Sequence, residues 1–139
     1  IVAPDPSGAA RAMRAALADA GLTPAEVGYI NAHGTGTLVN DRSESAAILE
    51  VFGGSPPPVS STKAMHGHAI GATGALEAIA CIQTLTEGIL QPTPGFLAAD
   101  PDCALDVVVG EARDAKVEAV LSNAFAFGGL NAVLAFRRA

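Results

Sequence analysis

The run Ala75–Glu87 constrains this chain more than any other segment. Leu76, Ile79, Ala80, Ile82 and Leu85 leave little polar face on a helix of that length. A helix that is apolar almost all round is stable only when other layers cover it, so it reads as a helix buried inside a larger protein. It follows a glycine-rich stretch, Gly67–Gly74. After it comes a connection punctuated by Pro92, Pro94 and Pro101.

The remaining segments alternate between the two periodicities. Ser7 is expected to cap a helix over Ala9–Ala20 that stops at Gly21, and Val27–His33 reads as a short buried strand ending on polar residues. Asn40 or Asp41 is expected to cap a helix through Ile48, Leu49 and Phe52, and Pro56–Pro58 leads stiffly into a strand over Val59–Thr62. Asp106–Val109, Val117–Ala124 and Ala132–Phe136 read as strands, with Gly128-Gly129 and Leu130-Asn131 turning between the last two. This order predicts an α/β fold with a mixed, mainly parallel sheet. The helix-first start predicts that an opening strand lies outside the chain, and an N-terminal Ile1 reads as the edge of a piece cut from a longer protein.

A chain of 139 residues holds one domain with a real core but not comfortably two. Half of it is hydrophobic and 16% charged, which excludes wholesale disorder. A formal charge of −6 argues against binding a nucleic-acid backbone. No run approaches the roughly eighteen apolar residues of a membrane span, and no export signal is present, so a cytoplasmic location is expected. Cys81 and Cys103 form no CxxC or zinc pattern and are expected to be free, buried thiols.

Three polar clusters carry possible chemistry. The first is Asn31-Ala-His33-Gly-Thr35-Gly-Thr37, a histidine at the carboxyl end of a buried strand, where open α/β folds place ligands. The second, Ser60 to Gly74, brings Lys63, His66 and His68 just before the apolar helix. The third runs from Ser122 through Phe125, Phe127 and Gly128-Gly129 to Asn131. Taken singly, each has a plainer reading: His33 as a satisfied core residue, Phe125 and Phe127 as strand core. The glycines do not fit GxGxxG, Lys63 precedes them where a P-loop lysine would follow, and the histidines lack metal-ligand spacing.

Taken together and in order, HGTGT (33–37), KAMHGHAIGATG (63–74) and SNAFAFGGLNAVLAF (122–136) resemble the β-ketoacyl synthase family. The resemblance covers the whole chain and implies a thiolase-like fold, with residues 1–139 as its C-terminal half-domain. It implies that His33 and His68 are the paired active-site histidines around a malonyl thioester and that Lys63 supports them. Asp41 and Glu44 would hold the lysine, Thr35 and Thr37 would contact a phosphopantetheine arm, and Phe127 would be the gate whose backbone N–H helps form an oxyanion hole.

The implied reaction is a decarboxylative Claisen condensation of malonyl-acyl carrier protein with an acyl thioester held on a cysteine. Neither Cys81 nor Cys103 matches the family's nucleophile motif, so that cysteine is expected in the other half of the protein and the isolated chain is expected to be inactive. The implied partners are acyl carrier protein, malonyl and acyl thioesters and the N-terminal half of the synthase, within a homodimer. No metal or resident cofactor is implied, the phosphopantetheine arriving on its carrier. Ala126 and Leu130 stand where housekeeping members carry Gly and Thr, which is similar to specialised, nodulation-type synthases. A ketosynthase piece of a modular polyketide synthase, a chain-length-factor-type partner and a free-standing binding module are the alternative readings. Thiolase shares the fold but needs a cysteine that is absent near Gly128.

Overall fold

Alternation along the central strands decides the layering. In the computed structural model, which describes residues 4–139, Tyr29 and Val120 face one way, while Ile30 and Leu121 face the other. Successive strand side chains point to opposite faces, so a sheet apolar on both must be covered on both. The first three residues, where the cut edge was placed, lie outside the described residues.

The main sheet has the order β2-β1-β5-β6, built from β1 (Tyr29–Asn31), β2 (Val59–Ser60), β5 (Ala119–Ala126) and β6 (Leu130–Arg137). β1 is parallel to both β2 and β5, whereas β5 and β6 form an antiparallel hairpin. Helices α1 (Pro6–Ala20) and α2 (Leu38–Phe52) cover one face through Met13, Leu17, Ala47 and Ile48. Helix α4 (Thr73–Glu87) covers the other through Cys81 and Leu85. A short antiparallel pair, β3 (Ile89–Leu90) with β4 (Arg113–Asp114), lies beyond it, and α3 (Lys63–His66) links β2 towards α4. Among the described residues, no helix is long and apolar enough to cross a membrane.

Several expected boundaries move for local reasons. Asp5, not Ser7, caps α1, its carboxylate accepting from the N–H groups of Ser7 and Gly8 at 3.0 and 3.2 Å. Thr37 rather than Asn40 or Asp41 caps α2, so that helix begins earlier than the apolar pattern suggests. Residues 106–109 form no strand; Val107 only bridges Val59. Leu130 and Asn131 already belong to β6, leaving Phe127 to Gly129 as the turn.

Helix α4 has two unlike faces, as expected of a helix that a larger protein would cover. Its sheet-facing side includes Thr73, Glu77 and Thr84, all buried, while Leu76, Ile79 (55% exposed) and Ile82 form an open apolar face. Within this chain it is therefore covered on one side only.

Candidate active site

The carboxyl ends of the parallel strands gather the polar clusters. Past β1 the chain turns sharply at Gly34, whose φ is 39°. A Cβ there would lie 2.5 Å from the Ser61 Cβ, so only glycine lets the segments after β1 and β2 approach this closely. Ser61 fastens the approach by donating from Oγ to the Gly34 carbonyl at 2.6 Å.

Glu44, buried on α2, sits beneath this turn. Its two carboxylate oxygens accept from the backbone N–H groups of His33 and Gly34, each at 2.9 Å, and one also accepts from Asn123 Nδ2 at 3.1 Å. Burial pushes its carboxyl group above the usual range, while these three donors pull the other way.

His33 is itself buried. Its ring meets that of His68 edge-on, with centroids 5.7 Å apart and planes at 87°, and lies 5.7 Å from the Phe125 ring. Desolvation, then the Lys63 cation and His68, lower its pKa to about 4, so the ring is neutral near pH 7. His68 is exposed on the turn that precedes α4. Its Nδ1 lies 3.2 Å from the Ile70 N–H, which can only donate, and 3.2 Å from Thr73 Oγ1. In the neutral ring Nε2 therefore carries the proton and is free to donate. Ile70 adopts a φ of 50°, an uncommon conformation for a β-branched residue, which aims that N–H at the ring.

Lys63 is buried and ion-paired with Glu77 of α4. Asp41 and Glu44, its expected partners, do not bond it: Asp41 accepts from Asn40 Nδ2 at 3.0 Å, and Glu44 is committed to the His33 turn. Burial raises the Glu77 carboxyl pKa and Lys63 opposes the shift. Glu77 escapes a reading by motif, yet a carboxylate amid the apolar residues of Ala75–Glu87 was its signal.

Thr35 lines a cleft of about 670 Å³ together with Asp41, Lys63, His68 and the 94–99 loop. Thr37 instead caps α2, and its hydroxyl shares a hydrogen bond with Thr35 Oγ1 at 3.0 Å. Phe127 stands on the β5–β6 turn, 79% exposed, and Phe125 is the phenylalanine that meets His33. Cys81 is buried beneath the sheet, where desolvation pushes its thiol up to about 12, a poor setting for a thiolate. Cys103, expected to be buried, is only half-buried and borders the cleft.

Residues 1–97 match the family described as "Beta-ketoacyl synthase, C-terminal domain". The chain is 55% identical to Nodulation protein E of Rhizobium sp. (strain N33), over 99% of its own length and 35% of that protein. It is 46% identical to 3-oxoacyl-[acyl-carrier-protein] synthase 2 of Staphylococcus aureus (strain COL), over 98% of its length and 33% of that protein. Among solved structures, the ishigamide ketosynthase/chain length factor superposes with a TM-score of 0.97 at 47% identity, over 99% of this chain and 34% of that one. The chain thus spans about a third of the length of the curated relatives it matches.

Proposed function

The chain belongs to the β-ketoacyl synthase family, and on that footing we propose that residues 1–139 form the C-terminal portion of an enzyme that condenses malonyl-acyl carrier protein with an enzyme-bound acyl thioester. The observation that carries this reading is the edge-on pair of His33 and His68 beside the buried Lys63–Glu77 ion pair.

In such a condensation the malonyl thioester loses CO₂ as its C–C bond breaks, leaving an enolate whose oxygen carries the developing negative charge. The enolate carbon then attacks the acyl thioester, and the cysteine thiolate departs. A neutral His33 retains one N–H, and His68 offers Nε2–H, so two donors can converge on the enolate oxygen. Desolvation keeps His33 neutral, like-charge repulsion from Lys63 adds to it, and Glu77 makes the buried cation tolerable. Thr35, at the cleft, suits contact with the pantetheine arm, with Thr37 bonded behind it, and the exposed Phe127 turn suits a gate. Glu44 holds the backbone around His33 while feeling the Lys63 charge, and Asp41 lines the cleft.

The acyl-carrying cysteine is assigned to sequence outside these residues. Acyl carrier protein is proposed as the donor of both thioesters, the synthase working as a soluble cytoplasmic homodimer without a resident metal or cofactor. The higher identity to nodulation protein E than to 3-oxoacyl-[acyl-carrier-protein] synthase 2 favours a specialised product. A chain-length-factor role is the second reading, favoured by the chain length factors in the names of two structural neighbours.

Mass spectrometry of the complete synthase, incubated with acyl- and malonyl-carrier protein, tests the reading. Expected are one acyl group on the enzyme and a β-ketoacyl product lost in His33→Ala and His68→Ala. Stoichiometric acylation of the isolated 139-residue chain, or condensation undiminished in both variants, would overturn it.

A further inference from the structure

His66 lies between Lys63 and His68, and no step of the proposed chemistry uses it. Its ring nevertheless bridges two parts of the molecule. Nδ1 stands 2.7 Å from the Gly67 carbonyl oxygen, and because a carbonyl only accepts, Nδ1 carries a proton. Nε2 stands 3.2 Å from Thr62 Oγ1, and that hydroxyl accepts from Asn31 Nδ2 at 3.1 Å. Thr62 and Asn31 are buried, and Asn31 is paired with Ser60 on one side and Ser122 on the other. This end of the bridge is therefore anchored in the centre of the sheet.

The other end is not anchored by packing. Gly67 has a φ of 75°, and nothing lies within 4 Å of the position its Cβ would occupy. Its N–H is held by the Lys63 carbonyl at 2.9 Å, which leaves the His66 ring as the group that holds its carbonyl. The peptide so held leads directly into His68.

We propose that His66 is a positioning residue, tying the Gly67 carbonyl to the Thr62–Asn31 pair and so setting the backbone from which the His68 ring is aimed. The inference rests on the functional reading of His68 given above. An active-site ring displaced by about 1 Å can cost up to a hundredfold in rate.

Two isosteric replacements separate the two ends of the bridge. The amide nitrogen of His66→Asn falls where Nδ1 stood and can still donate to Gly67. That of His66→Gln falls where Nε2 stood, keeping Thr62 and losing Gly67. In the complete synthase, His66→Ala, His66→Asn and His66→Gln each break the bridge and are expected to lower kcat for condensation about tenfold, with acylation by acyl-carrier protein and the KM for malonyl-carrier protein unchanged. Undiminished condensation in His66→Ala would overturn the proposal. So would undiminished condensation in both the Asn and Gln variants, or a parallel loss of acylation, which marks a merely structural residue. If the alanine variant does not fold, the Asn and Gln variants decide alone. A parent enzyme that is acylated but does not condense would overturn the functional reading, and this inference with it, without recourse to any variant.

Discussion

Removing the Lys63 ammonium leaves Glu77 as a buried carboxylate with no cation. Breaking a buried pair from one side typically costs about 3–5 kcal/mol, and replacing both partners by apolar groups costs far less. Lys63→Met is therefore expected to destabilise the complete synthase strongly, and Lys63→Met with Glu77→Leu to recover much of that loss without recovering condensation; chemical denaturation and a turnover assay check the two halves. His33 makes a separate, pH-dependent contribution. Its folded pKa, about 4, lies below the ordinary 6.5, so the unfolded chain takes up a proton that the native state refuses. Stability from this group is complete above pH 6.5 and declines as the pH falls towards 4. His33→Gln should flatten that decline in denaturation midpoints measured across the same range. Glu44 and Glu77, whose pKa values are raised, have the opposite sign, so only the difference between parent and variant isolates His33.

At the level of elements, α4 is the member whose two faces have different tasks. The inner face carries Glu77 to Lys63 and packs Cys81 and Leu85 under the sheet. The outer face presents Leu76, Ile79 and Ile82, apolar groups that water disfavours and that this chain leaves uncovered. If the rest of the synthase packs there, Ile79→Lys should make the isolated chain less prone to associate and should destabilise the complete synthase by about 2 kcal/mol or more. Sedimentation of the first and thermal unfolding of the second distinguish this from a face that stays exposed, where the substitution would be harmless to both. The same helix explains why its pattern was legible and its partner was not. Periodicity reports that a residue is apolar, whereas the pairing of Glu77 with Lys63 depends on how α3 and α4 meet.

Across the whole molecule, the α/β layering follows from the apolar strands Tyr29–Asn31 and Ala119–Ala126, whose both-sided burial demands helices on each face. The neighbourhood of His33, Lys63 and His68 was legible as motifs, because each lies close to a strand end or a glycine turn that the sequence itself marks. The exchange of partners was not legible. Glu44 serves backbone N–H groups rather than the lysine, Thr37 caps a helix, and His66 bridges to Asn31. Each of these depends on side chains brought together from separate segments.

The sequence by itself determined the α/β class with its mainly parallel sheet, the three polar clusters and the mismatch of Cys81 and Cys103 to a nucleophile motif, because propensity, periodicity and motif spacing are local properties. Tertiary structure alone decided which carboxylate neutralises Lys63, which nitrogen of His68 carries the proton, and why His33 stays neutral. Those outcomes depend on burial and on hydrogen bonds between β1, α2, α3 and α4, and Coulomb and desolvation energies follow distance in space rather than separation along the chain.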